Sequence, residues 1–392
     1  MRHPISSGDS CVGLRFSTET GSDEFYATIT SPAGSDFEKA LEHVHRSYEE
    51  FMAAQGLSKR TQVFCRIYVS DIENQKKHVR ASRLHDFVST SPFSMIQEIP
   101  LCGGPVAMTA YHIRNEKKAL AKKRVTGESD VCPSMLLSGV NYRTLWHYNC
   151  LTPELPDSYA QTREIFEKIE SVVRNNNMTL LDNTIRTWVY VRDVDNNYKG
   201  MVRARREFFA HHDLTQKTRY LASTGIEGKS AEVSGLVHVD GFSVADLEPE
   251  QIVRMEALEN LSPTIDYGVT FERGLRVRYG DRSHLYISGT ASIDKFGKIL
   301  HYGDVRRQTV RTIENVEALL TPHGGSLEDM AYLLVYVRDP HSLGAVKAIV
   351  EEHVSQSVPT LFIEGCVCRP SWLVEMEGVA VIEDTTRFPV FF

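Results

Sequence analysis

The sequence predicts an α+β protein of three similar units packed as an intramolecular pseudo-trimer, sheets inside and helices outside. Three observations carry that prediction. First, three 35-residue segments align without gaps: Phe37 to Asp71, Tyr159 to Asp193 and Val305 to Asp339. Second, each passes from a helical pattern through a polar or glycine-containing turn into a β-branched and aromatic run ending in Tyr-Val-x-Asp. Third, no long Gly/Ser-rich or Pro-rich linker separates the copies, so they are expected to pack together rather than move as beads on a string.

In the first copy Leu41, Val44, Tyr48, Phe51 and Met52 recur at helical spacing. Ile165, Ile169, Val172 and Val173 do so in the second, and Val310, Ile313, Val316 and Leu320 in the third. The helices break at Gln55-Gly56, Asn175-Asn176-Asn177 and Gly324-Gly325, and the strand-like runs follow. The aspartate that ends each run suits a turn. Second helices are expected over His78 to Val88, Tyr198 to His211 and Leu343 to Val354. Closing strands are expected over Val106 to Ile113, Ala231 to Val239 and Leu373 to Ile382, with a hairpin of Leu285 to Ile293 and Lys298 to His301 in the third copy. The units are bounded at 11–113, 135–243 and 265–385. A basic connector, Arg114 to Asp130, and an acidic, helix-like one, Leu247 to Leu261, join them. Helices cover one face of each sheet, and the other faces bury one another as in a cyclic trimer. Whether such bodies pair further is open.

With 42% apolar and 24% charged residues, this is the composition of an ordinary soluble globular chain. No apolar run is long enough for a membrane span, and the first residues lack the pattern of a secretory signal. A net charge of −7 without a basic cluster argues against nucleic acid as partner. Seven dispersed cysteines, an odd count with no CxxC spacing, read as reduced thiols of a cytoplasmic protein. No HExxH, P-loop or GxGxxG motif occurs, so neither metal nor cofactor is expected.

Glu375 and Glu377 stand at i and i+2 on a predicted strand, so both side chains leave the same face, roughly 6.6 Å apart. In a cleft, such a pair raises one pKa and keeps one carboxyl protonated near neutrality. The same pair also reads as a solvated strand edge, or as a carboxylate salt-bridged to an arginine. The other copies are expected to match as Glu232-Val-Ser234-Gly235 and Ala107-Met-Thr109-Ala110, which makes Glu232 a candidate for a second, weaker site. Arg369, Arg186 and Arg273 are candidate partners for a carboxylate ligand, since guanidinium groups grip planar carboxylates in two places.

The third unit resembles the RidA/YjgF superfamily. The residues that carry the resemblance are Leu285 to Ser292, Gly303-Asp304, Gln308-Thr309, Glu314-Asn315-Val316, Tyr336 to Asp339, Val358-Pro359-Thr360 and Val374 to Gly378. It implies a chorismate-mutase-like α+β fold, trimeric assembly, and small-molecule sites in clefts between units. Three segments are similar to the chorismatase branch: Ser288 to Ile293 with His301-x-Gly303-Asp304, Cys368-Arg369 with Leu373-Val374-Glu375, and Ala222-Ser223-Thr224-Gly225-Ile226. That likeness implies cleavage of the enolpyruvyl ether of chorismate, or of a related cyclic carboxylate, to pyruvate and a hydroxylated ring acid. It casts Glu375 as general acid with Glu377 beside it, and Cys368 as a residue that selects the product. Arg369, Arg186, Arg273, Phe271, Thr224, Gly225 and His301 line the substrate in this reading. The extra N-terminal unit departs from known chorismatases. Thr360, Leu361 and Phe362 stand where RidA deaminases carry their carboxylate-binding arginine, which disfavours imine deamination, and Phe271 stands where those enzymes have a tyrosine. The endoribonuclease label attached to parts of the family fits an acidic chain poorly. The competing expectation is a non-catalytic binder of small carboxylates.

Overall fold

The computed structural model describes residues 1–6, 8, 10–116, 118–125 and 131–392. Unit 1 runs through β1 (Arg2–Ser6), β2 (Cys11–Phe16), β3 (Asp23–Thr30), α1 (Phe37–Ala54), β4 (Gln62–Val69), α2 (Ile72–Arg80), α3 (Arg83–Val88), β5 (Phe93–Gln97) and β6 (Val106–Arg114). Unit 2 holds β7 (Ala121–Val125), β8 (Ser134–Ser138), β9 (Arg143–Cys150), α4 (Ser158–Asn175), α5 (Leu180–Asn183), β10 (Thr184–Val191), α6 (Val194–His211), β11 (Ala222–Glu227) and β12 (Val237–Ala245). Unit 3 holds β13 (Ile252–Arg254), β14 (Gly274–Arg278), β15 (Arg282–Ala291), α7 (Val305–Leu320), β16 (Met330–Val337), α8 (Leu343–His353), β17 (Thr360–Glu364) and β18 (Val374–Glu383). Each unit forms one six-stranded sheet of the same topology: β1-β2-β3-β6-β4-β5, β7-β8-β9-β12-β10-β11 and β13-β14-β15-β18-β16-β17.

The repeats begin where they do because each first helix has an aspartate cap. Asp36, Asp157 and Asp304 accept the backbone N–H of Lys39, Ala160 and Arg307, which satisfies donors the helix itself leaves free. The aspartate of each Tyr-Val-x-Asp run opens the next helical turn. Asp71 accepts the Asn74 N–H and Asp339 that of His341, whereas Asp193 starts α6 from a left-handed backbone, φ 49°. Val44, Tyr48 and Phe51 of α1, and Ile165, Ile169 and Val173 of α4, are buried against their sheets.

The other sheet faces meet on the pseudo-threefold axis. Matching strands place Tyr26, Trp146 and Tyr286 there in the three units. Aromatic pairs then close the ring across every unit boundary: Phe64 with Trp146 at 5.0 Å, Phe242 with Tyr286 at 5.2 Å, and Tyr26 with Tyr332 at 6.3 Å between centroids. Three single bridges, Gln97 to Lys229, Ile226 to Val367 and Pro100 to Ile363, close it a second time along the backbone.

Several expectations need correction. Each sheet has an outer strand before the expected start of its unit: β1, β7 and β13. These short edge strands carry little apolar periodicity, so only pairing reveals them. The segment Leu247 to Leu261 is not a helix but a single turn, Pro249–Gln251, followed by β13. In the connector Arg114 to Asp130, β7 forms, while residues 117 and 126–130 lie outside the described residues. The middle closing strand runs over Val237–Ala245, not Ala231 to Val239. In β16 and β18 Tyr336 opposes Glu375 and Leu334 opposes Glu377, and in β10 and β12 Tyr190 opposes His238 and Trp188 opposes Asp240. The middle counterparts of the two glutamates are therefore His238 and Asp240. Glu232 lies in the turn before β12, half exposed, 3.7 Å from Arg80. A Glu-x-x-Gly sequence shared by that turn and β18 misdirects a gap-free alignment. The first copy does match as expected, with Tyr68 opposite Ala107 and Arg66 opposite Thr109.

Candidate active site

A cleft of about 740 Å³ opens between units 2 and 3. Its floor comes from β18, β15 and β11, one wall from α6, and the other from the loops around Phe271 and Trp372. Of the residues singled out in the sequence, Glu375, Cys368, Arg369, Arg273, Phe271 and Gly225 line it. Arg186, Glu377 and Thr224 lie just behind the floor, buried. His301 is not part of it. This histidine is exposed on the turn before α7, its backbone at φ 58°, and its carbonyl accepts the Asp304 N–H. The tight turn into α7 accounts for its place.

Glu375 and Glu377 do share a face, but they occupy different environments. Glu377 is wholly inaccessible and is held from unit 2: Arg186 Nη2 donates to Oε2 at 2.6 Å and Trp188 Nε1 donates to Oε1 at 2.9 Å. Arg186 also donates to Thr224 Oγ1 at 2.7 Å, and the Gly289 N–H donates to the same oxygen at 3.0 Å. One hydroxyl thus ties β10, β11 and β15 together across the unit boundary. Glu375, 5% exposed, faces the cleft. Burial first, and then the negative charge of Glu377, push its carboxyl up to about 8, while Arg273 and Arg186 pull the other way. The result is a carboxylic acid that keeps its proton at neutral pH. Gly289 makes room for it, because a Cβ there would lie 2.3 Å from Glu375 Oε1.

The cleft is strongly basic. Lys199, Arg203, Arg206, Arg273 and Arg369 line it, against the acidic Asp157 and Glu375. The Arg273 and Arg205 guanidiniums lie 5.8 Å and 5.9 Å from the Phe271 ring centre, and that of Arg369 lies 5.2 Å from Trp372. Arg273 is oriented by two hydrogen bonds donated to the Ser262 carbonyl, at 3.1 and 3.0 Å. Cys368 hydrogen-bonds to Tyr198 of α6, and burial followed by the charge of Glu375 pushes its thiol up to about 12. It stays a neutral thiol and is a wall of the cleft rather than a nucleophile. Lys199, Arg203 and Arg206 join the lining without having stood out by sequence. Their i, i+4, i+7 spacing on α6 is a basic stripe visible in the sequence, though only docking against unit 3 turns it toward a cleft.

The two other unit boundaries are differently equipped. Between units 1 and 2, Asp240 takes the place of Glu377 and pairs with Arg66 at 2.8 Å and His238 at 3.1 Å. Ser94, in register with Thr224, donates to Asp240 at 2.6 Å. His238 is buried there beneath the Tyr190 ring. At the third boundary Ala107 and Thr109 replace both acids.

Residues 277–382 match the sequence profile of the family described as endoribonuclease L-PSP. A chorismatase crystal structure superposes with a TM-score of 0.62 at 16% identity, covering 93% of this chain and 100% of that one. A putative endoribonuclease from Thermotoga maritima covers 34% of this chain and 98% of its own at 21% identity, TM-score 0.29. RidA from the Antarctic bacterium Psychrobacter sp. covers 33% and 99% at 18% identity, TM-score 0.29. Unit 3 thus carries the match to the L-PSP family, and the chain as a whole shares the fold of a chorismatase.

Proposed function

We propose that the cleft between units 2 and 3 hydrolyses the enolpyruvyl ether of chorismate or of a closely related cyclic dicarboxylate. One arrangement carries the reading: Glu375, its carboxyl pushed up to about 8 by burial, stands at the floor of a cleft lined by five cationic side chains. Enol ethers hydrolyse through slow protonation of the vinyl carbon, so the reaction needs an undissociated acid close to neutral pH. Glu375 supplies that proton. The resulting oxocarbenium carbon takes up water, and the Glu375 carboxylate accepts the water's proton. The hemiketal then collapses to pyruvate and a ring alcohol, which leaves Glu375 protonated for the next turnover. Arg273 and Arg369 serve the carboxylates of the substrate, and Phe271 and Trp372 its ring. Burial keeps Glu375 from ionising, and the charge of Glu377, held outside the cleft by Arg186, adds to that against the pull of the arginines. The likeness of the whole chain to a chorismatase supports the same substrate class.

The test is pyruvate release from chorismate, followed by coupled reduction with lactate dehydrogenase, for the wild type and Glu375→Gln. Release by the wild type and none by the variant supports the reading. A wild type that releases no pyruvate while chorismate raises its melting temperature makes the cleft a binding site without this chemistry. No shift and no pyruvate removes the substrate class altogether.

A further inference from the structure

Away from the cleft, two cysteines of unit 2 are set up to react with each other. Cys132 precedes β8 and Cys150 ends β9. The Tyr148 N–H donates to the Pro133 carbonyl at 3.1 Å and the Leu151 N–H to that of Val131 at 3.2 Å; the register slips by one residue between them at Asn149, φ 51°, so that Asn149 and Cys150 together stand opposite Cys132. Residues paired directly across antiparallel strands have Cα atoms roughly 4.5–5.5 Å apart, and a one-residue bulge keeps the opposed residues close to that spacing. That is inside the window a disulfide needs, about 4.4–6.8 Å. Both thiols are buried in the core between the sheet and its helices, near enough for each to shift the other's ionisation.

A base stands beside the pair. His147 Nδ1 lies 3.7 Å from Cys132 Sγ and 2.7 Å from Ser134 Oγ, while its buried Nε2 has no hydrogen-bond partner among the described residues. Cys150 and His147 together outweigh burial and lower the Cys132 thiol, whereas Cys150 is raised by burial and by Cys132. Cys65, Cys102, Cys366 and Cys368 are all shifted the other way. The two thiols therefore have unequal roles, one nucleophilic and one held in reserve.

We propose that Cys132 and Cys150 form a peroxide-reactive dithiol site that closes to a reversible disulfide. The Cys132 thiolate, its proton passed to His147, attacks one oxygen of hydrogen peroxide and breaks the O–O bond. This gives Cys132 sulfenic acid and hydroxide, which takes the proton back from His147 to become water. The Cys150 sulfur then displaces the sulfenic hydroxyl, forming the S–S bond, and its thiol proton leaves with that hydroxyl as a second water. Two thiols and one peroxide thus give one disulfide and two waters, and a small dithiol reductant reverses the change. Burial selects the oxidant: Cys132 is 2% exposed, which suits a reagent little larger than water. The disulfide staples the end of β9, from which the chain runs to Asp157, Ser158 and Tyr159 on the rim of the cleft.

The test treats the prereduced full-length protein with hydrogen peroxide, alkylates the remaining thiols under denaturing conditions and maps the peptides without reduction. A Cys132–Cys150 linked peptide that disappears with dithiothreitol is the expected product. In Cys150→Ala, dimedone present during denaturation after the peroxide step is expected to label Cys132, and in His147→Gln the crosslink forms on the order of tenfold more slowly. An unmodified Cys132, or Cys366–Cys368 as the main crosslink, overturns the proposal. The wild-type peptide map needs no variant, so it decides the matter even if a substitution prevents folding.

Discussion

Glu375→Gln keeps the shape of the side chain and removes its ionisation, so it is expected to stabilise the protein while disabling it. In the unfolded chain the carboxyl titrates near 4.5, and in the fold it is held up to about 8. A raised acid takes up its proton more tightly in the native state. Its contribution to stability is therefore complete at low pH and is lost as pH rises from 4.5 to 8, with no further loss above that. Each pH unit in this window costs about 1.4 kcal/mol, so at pH 7 the native state carries a penalty of about 3 kcal/mol that the glutamine variant lacks. Below pH 4.5 the two proteins should unfold alike. Urea unfolding of both, at half-unit steps between pH 4.5 and 8.5, reads the difference directly. Activity moves oppositely: losing a general acid costs on the order of 10²- to 10⁴-fold in kcat, and wild-type kcat should fall above pH 8 as the proton leaves. A stability difference that does not vary with pH, or a variant less stable at pH 7 than at pH 5 relative to wild type, would refute a protonated Glu375.

Other perturbations separate the parts of the site. Arg186→Met strands the buried Glu377 carboxylate and should destabilise by about 3–5 kcal/mol, whereas Arg186→Met with Glu377→Leu should recover most of that loss in urea unfolding. Gly289→Ala puts a methyl 2.3 Å from Glu375 Oε1 and should displace the carboxyl, lowering kcat with little change in circular dichroism. Glu98 is a buried carboxyl whose two oxygens meet no hydrogen-bond partner among the described residues; burial, with Glu377 and Asp240, raises it, against the pull of Arg66. Glu98→Gln should therefore gain stability over wild type as pH rises, and parallel melting curves across pH would contradict this.

Much of the fold is legible in the sequence because helices and strands report themselves through local period. The apolar spacing of Leu41 to Met52, the aspartate caps and the Tyr-Val-x-Asp runs all act within a few residues of each other. The repeat then implies the sheet count and the ring of three. The same locality explains the misplaced β12: Glu232 and Glu375 share a short pattern, but strand register depends on a partner far away in sequence, and pairing with β10 selects His238 and Asp240.

The candidate site divides along the same line. That Glu375 and Glu377 share a face follows from the two-residue period of a strand, and the sequence alone specifies it. Which of them is an acid facing a cleft and which is one half of a sealed ion pair is decided by unit 2, through Arg186 and Trp188, residues nearly two hundred positions away. The basic stripe of α6 and the carboxylates meet only because the sheets close on one another. Electrostatic environment is a sum over neighbours in space, and for this chain those neighbours come from another copy of the repeat.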